Sequence, residues 1–201
     1  MNKLFDFLKK NSTDIIKPTA VLLAICVIIP LALSLTNKIT VKKIARLEEE
    51  NSKKAMAGLI TADDFRTATV SDTEYYEAVK DGNTVGYIFK TSSKGYGGDV
   101  SVMTAVNPDG TVKSVAILDV SNETPGLGQN AAKENFHSQY AGKKKGISLL
   151  KNGADSEKNE VDAVTGATIT STAVNRAVNE ALDEFEKLSE STNTAEVTDG
   201  E

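Results

Sequence analysis

Between Lys17 and Lys38 the segment "KPTAVLLAICVIIPLALSLTNK" carries no charged side chain, and apolar residues fill most of its positions. A run that is apolar all round, with no polar face, is about as long as a helix needs to be to cross the hydrocarbon core of a bilayer. It predicts a transmembrane helix over residues 18–36, kinked at Pro30, after a short segment 1–17. A cleaved signal peptide would have a shorter apolar stretch and a small-x-small site, and Ala32 to Ser34 is a poor one. The run is therefore read as a retained anchor. The pattern then loosens. Ile44 and Leu47, followed by alanines and methionine among charges, recur at helical spacing and predict a juxtamembrane helix over residues 37–60. Past residue 61 the period shortens to that of strands. Asp81-Gly82-Asn83 and Pro108-Asp109-Gly110 each sit between β-prone runs, the signature of antiparallel hairpins and not of βαβ units. Finally Val174, Ala177, Val178, Ala181, Leu182, Phe185 and Leu188 return every three or four positions. They predict an amphipathic helix from Ala173, capped by Ser171 or Thr172. The fold class is α+β: an N-terminal transmembrane helix, then a small antiparallel sheet packed with helices over residues 61–188. The end, "SESTNTAEVTDGE", is too poor in apolar residues to join a core, and residues 189–201 are expected to be disordered.

With 201 residues, 40% of them hydrophobic, the chain has room for one globular domain besides the anchor. Its net charge of −5, without a basic stripe, excludes nucleic acid as a partner. Cys26 is the sole cysteine and lies in the apolar run, so neither an internal disulfide nor an all-protein thiolate cluster can form. His137 is the sole histidine, which rules out histidine-based triads and multi-histidine metal sites. It is expected at the surface or partly packed. Redox chemistry here would need an organic cofactor or a partner's metal.

Three loops carry the candidate chemistry. "KGYGGDV" (Lys94 to Val100) and "ETPGLGQNAAKENF" (Glu123 to Phe136) follow strands, and the second opens a helix with its cap expected near Gln129 or Asn130. Gly126-Leu127-Gly128 is no dinucleotide fingerprint, since the third glycine and the βαβ context are missing. What the two loops offer is backbone that a flat ligand can approach closely. The third, "DAVTGATITST" (Asp162 to Thr172), places Thr168 just before the expected helix, where free N–H groups and the positive end of the helix dipole favour an anion such as phosphate. Gly166 and Ala167 leave Thr168 open to something large.

"DAVTGAT" resembles the Asp-x-x-(Ser/Thr)-Gly-Ala-Thr motif of the FMN-binding domain family, whose last threonine carries FMN in a phosphoester made by a separate flavin transferase. The resemblance assigns covalent FMN to Thr168, with Asp162, Thr165, Gly166 and Ala167 completing the motif. "ETPGLG", "GYGG" and the single anchor are, together, similar to the G subunit of the Rnf complex, a membrane-bound ferredoxin:NAD oxidoreductase that pumps sodium ions or protons. The similarity spans roughly residues 15 to 188. It implies that Glu123, Thr124, Leu127 and Gly128 line the flavin pocket. Of the five tyrosines, Tyr96 is the best placed to stack on the ring, with a role in the core or in a hairpin as the equal alternative. A histidine often stands in that family where this chain has Ser121. The related C subunit of the sodium-pumping NADH:quinone reductase shares the motif but tends to be longer.

The resemblance implies an electron-transfer subunit with no catalytic triad of its own and no metal, working beside other membrane and peripheral subunits. FMN can pass electrons singly, and a tether through phosphate leaves its ring unmodified while preventing its loss. Lys3, Lys9, Lys10 and Lys17 before the span balance Lys38, Lys42, Lys43 and Arg46 after it, so charge alone does not orient the anchor. The resemblance implies a single-pass protein of the inner (cell) membrane, N-terminus cytoplasmic and FMN domain outside the cytoplasm. Two alternatives stand beside it: a cofactor-free, membrane-anchored assembly module, and a stand-alone exported flavoprotein.

Overall fold

The structure is a computed structural model that describes residues 12–70 and 73–198. It divides into two compact units, Met1–Glu50 and Asn51–Glu201.

Helix α1 (Ser12–Leu59) runs on through both Pro18 and Pro30, so the expected anchor and juxtamembrane helices form one element, with no break at residue 37. Within the first unit its apolar side chains, Ile16 to Leu47, are exposed, and its most apolar window has a mean hydropathy of 2.5. Such a surface is what lipid, not water, solvates. The Thr36 and Thr40 hydroxyls donate to the carbonyls of Ala32 and Thr36, each at 2.9 Å. These two hydroxyls are thereby satisfied inside the helix, as a bilayer demands.

The second unit is built on a five-stranded antiparallel meander, in spatial order β1-β2-β3-β4-β5. Its strands are β1 (Asp64–Val70), β2 (Thr73–Lys80), β3 (Asn83–Lys94), β4 (Asp99–Val106) and β5 (Val112–Asp119). The β2–β3 turn has φ +51° at Asp81 and +80° at Gly82, the two positive values of a type I′ hairpin. The β4–β5 loop is closed by Asp109, whose carboxylate accepts from the Thr111 N–H (3.0 Å) and hydroxyl (2.6 Å). Both hairpins lie where the sequence placed them. A parallel pair, β6 (Ser148–Leu150) and β7 (Glu160–Asp162), stands apart from this sheet.

Alternation along the strands gives the sheet two apolar faces. On one, Ile88, Met103, Ala105 and Ala78 pack with Met56, Leu59 and Ile60 at the end of α1. On the other, Phe89, Val100, Val102 and Val106 pack with Ala173, Val174, Ala177, Val178, Ala181 and Leu182. Those last six belong to α3 (Thr168–Thr198), which follows the four-residue α2 (Glu134–His137). Each buried Val or Leu of that stripe contributes about 1.5–3 kcal/mol, so this face fixes where α3 lies. Inside the contact, the Thr91 hydroxyl donates to the Ala177 carbonyl at 2.8 Å.

Three boundaries differ from the sequence reading. Helix α3 begins at Thr168, not Ala173, because Ala167, Thr170 and Ser171 are buried and tertiary packing overrides the weak helix propensity of "TITST". It also continues to Thr198, into the segment expected to be disordered; residues 199–201 lie outside the described residues. The segment after "ETPGLG" is a 3-10 turn (Gly128–Ala132) followed by α2, and Leu127 and Lys133 precede these without side-chain caps.

Candidate functional site

Two similar turns face each other at one end of the second unit. In Thr124-Pro125-Gly126-Leu127 the Leu127 N–H donates to the Thr124 carbonyl at 3.1 Å, and in Val164-Thr165-Gly166-Ala167 the Ala167 N–H donates to the Val164 carbonyl at 2.9 Å. Gly126 has φ +76° and Gly166 φ +77°, the left-handed third position of a type II turn. The turns come close: a Cβ on Gly166 would stand 3.0 Å from Cδ2 of Leu127.

Between them opens a cleft of about 540 Å³ lined by Tyr96, Glu123, Thr124, Leu127, Gly128, Gly166, Ala167, Thr168, Ile169 and Thr170. All three loops singled out in the sequence meet there. The rim is apolar: Tyr96 is 71% exposed, Ile169 54% and Leu127 44%. Among the described residues of the second unit, these are the exposed large hydrophobic side chains. Singly exposed apolar residues are ordinary, but three on one concave surface mark a binding face.

Glu123 underlies the cleft at 2% exposure. One carboxylate oxygen accepts from the Gly97 N–H at 3.0 Å and the other from the Thr170 hydroxyl at 2.5 Å.

The hydroxyls of "TGATITST" have different surroundings. Thr170 is bonded to Glu123. The Ser171 hydroxyl accepts from the Val164 N–H at 3.0 Å and donates to the Ala167 carbonyl at 2.9 Å. Thr172 donates back to the Thr168 carbonyl at 2.7 Å. Thr168, the first residue of α3, is exposed and faces the cleft. The N–H groups of Thr168, Ile169 and Thr170 precede the first turn-closing bond, Ser171 N–H to the Ala167 carbonyl at 2.9 Å. They are therefore the orphan donors of the helix N-terminus and suit an anion.

The remaining motif residues are not in the cleft. Asp162 and Thr165 line a second, polar cavity of about 370 Å³ behind the turn, with Lys133, Asn130, Gln139 and Asn152. The Asp162 carboxylate accepts from the Ala154 N–H at 2.9 Å, and its main chain exchanges hydrogen bonds with the Gln139 side-chain amide. Asp162 thus braces the loop from outside the cleft. Ser121 is exposed, its N–H bonded to the Asp119 carboxylate at 2.8 Å, and is not among the cleft residues. Sequence reasoning missed Ile169 and Thr170; their only local signal was adjacency to Thr168.

Comparison with known proteins points to the same region of the chain. The FMN-binding domain family matches residues 95–183, which include the cleft-lining residues named above. The G subunit of the proton-translocating ferredoxin:NAD(+) oxidoreductase complex of Clostridium ljungdahlii is 34% identical over 175 residues, 87% of this chain and 94% of that protein. The G subunit of the Na(+)-translocating complex of Acetobacterium woodii is 32% identical over 189 residues, 84% and 90% of the two chains. Among solved structures, NqrC of Shewanella oneidensis superposes with a TM-score of 0.50 at 28% identity, over 53% of this chain and 54% of that one. The C subunit of the Na(+)-translocating NADH-quinone reductase of Parabacteroides distasonis gives 0.50 at 26% identity, over 57% and 61%.

Proposed function

Because the chain belongs to the family of G subunits of ion-translocating ferredoxin:NAD(+) oxidoreductase complexes, we propose that it is the membrane-anchored electron-transfer subunit of such a complex, carrying FMN as a phosphoester on Thr168. FMN when bound supplies reversible one- and two-electron transfer. The cleft fits that group. Its volume lies within the range of cofactor sites, apolar side chains stand at its mouth, and two glycines let a planar ring lie near the main chain. Thr168 would hold the phosphate beside the N–H groups of the first turn of α3. Tyr96, Leu127 and Ile169 would border the ring and keep water from its faces.

One observation carries the assignment. Of the hydroxyls from Thr165 to Thr172, the Thr168 hydroxyl alone both faces the cleft and is without a hydrogen bond inside the described chain. A separate transferase needs an accessible nucleophile; Thr165 is exposed as well but lines the other cavity, so Thr168 is the one open to the cleft. Complex partners would be other membrane and peripheral subunits, and the flavin domain would lie outside the cytoplasm with residues 1–17 inside.

The test compares wild type with Thr168→Ala, each co-expressed with a flavin transferase, by fluorescence of the protein band after denaturing electrophoresis. A fluorescent wild-type band and a dark variant are expected. A wild-type band that stays dark while a control substrate is labelled would leave a cofactor-free anchor module instead. Cysteine labelling on a Cys26-free variant tests orientation: label reaching a cysteine in the domain only after permeabilisation would place the domain inside.

A further inference from the structure

The loop carrying Tyr96, the loop carrying Leu127 and the helix turn carrying Thr168 are far apart in sequence, yet one carboxylate joins them. Glu123 Oε1 accepts from the Gly97 N–H and Oε2 from the Thr170 hydroxyl, a pair 47 positions apart. The glycines around it leave no room for side chains. A Cβ on Gly95 would lie 2.4 Å from Oε1, and one on Gly128 would lie 2.7 Å from Oε2 and 2.8 Å from the Thr170 hydroxyl. At Gly97 it would lie 1.8 Å from the Asn122 carbonyl oxygen. The Gly95 N–H closes the first loop on the Gly98 carbonyl at 2.8 Å. Each wall of the cleft is thus packed against the carboxylate or bonded to it.

We propose that Glu123 is a positioning residue acting with Thr170: the carboxylate fixes the separation between the Tyr96 loop and the first turn of α3, so that a flavin on Thr168 is held against the Tyr96 ring. The inference rests on the attachment to Thr168. Both carboxylate oxygens face donors of the chain itself, so this role differs from the direct flavin contact that the resemblance implied for Glu123. Hydrogen bonds to a buried carboxylate are among the stronger ones, and losing one partner leaves the other unsatisfied in the interior. Chemistry also separates positioning from bulk. Glu123→Gln keeps an acceptor for the Gly97 N–H and offers an amide donor to the Thr170 oxygen, whose hydroxyl can turn. Thr170→Ser keeps the hydroxyl. Thr170→Val keeps the shape and removes it.

The experiment uses the full chain in detergent micelles, co-expressed with a flavin transferase. Covalent flavin is first verified on a denaturing gel. Flavin emission and its anisotropy are then compared in native and denatured protein. In the wild type, contact with the Tyr96 ring quenches native emission, and anisotropy is high. Thr170→Val and Glu123→Ala are expected to lose that quenching and anisotropy while still carrying flavin, and Thr170→Ser and Glu123→Gln to retain both. Wild-type emission and anisotropy in Thr170→Val, or an equal loss in all variants, would overturn the proposal. Should Glu123→Ala fail to fold, the contrast between Val and Ser at position 170 decides. A wild type without covalent flavin would overturn the attachment reading itself and remove the premise of this one.

Discussion

Ser171 and Val164 are joined by a hydrogen bond from the Val164 N–H to the Ser171 hydroxyl oxygen, 3.0 Å long, that folds the Thr165-Gly166 turn back onto the helix it precedes. The same hydroxyl donates to the Ala167 carbonyl, so one side chain holds both sides of the turn presenting Thr168. Ser171→Ala leaves the Val164 N–H without that partner in a partly buried position. It is expected to cost about 1–2 kcal/mol of stability and to slow flavin attachment, since the acceptor hydroxyl is no longer held in place. Chemical denaturation gives the first effect and the time course of band fluorescence the second. An unchanged time course would show that the transferase reshapes the turn itself.

Gly97 and Gly58 make opposite predictions for the same substitution. A Cβ at Gly97 would meet backbone atoms of Asn122 at 1.8 and 2.7 Å, and backbone cannot rotate away. Gly97→Ala should destabilise by about 1–3 kcal/mol or more and open the loop that carries Tyr96. Gly58 lies in α1 with nothing within 4 Å of a new Cβ and no positive φ. Gly58→Ala should therefore stabilise, by at most about 1 kcal/mol. Thermal melts of the pair check both signs.

What could be read from the chain was whatever local chemistry dictates. Asp81-Gly82 placed a hairpin, because only a few residues accept two successive positive φ values. Val174 to Leu188 placed a helix and its buried face, because the period is written in the side chains. "DAVTGAT" gave the turn and the exposed Thr168, yet it could not show that Asp162 and Thr168 end in different cavities. A turn reverses the chain, and which side each residue takes depends on what packs there. The Glu123–Thr170 bond was equally out of reach, since nothing near either residue specifies a partner 47 positions away. Pro30 suggested a kink and the change in polarity near residue 37 a new helix. The backbone passes both positions as one element, α1: proline gives up a single N–H bond without ending the helix, and the change in polarity alters which solvent the helix prefers, not its main-chain bonds.

Lys143 is buried, and its ammonium donates to the main-chain carbonyls of Ser156 (2.7 Å) and Lys158. It thus holds the 153–159 loop, which leads into β7 and from there to the attachment turn. Lys143→Met keeps the stem and removes the donors, leaving two carbonyls unpaired. A loss of about 2–3 kcal/mol is expected, together with faster amide exchange in residues 154–160. Exchange confined to the global unfolding rate would show that the loop does not depend on this ammonium.

His137 gives the fold a pH dependence whose sign can be worked out. Burial lowers its pKa from the ordinary 6.5, with Glu134 opposing that shift in part. The unfolded chain therefore takes up a proton at a higher pH than the folded one does. Stability from this group is complete above about 6.5 and is lost as pH falls from there toward the lower folded value, because the unfolded state binds more protons in that window. His137→Gln removes the titration. Melting temperatures measured from pH 7.5 down to about 5 should fall more steeply for the wild type than for the variant. Parallel profiles would show that carboxylates alone set the acid limb.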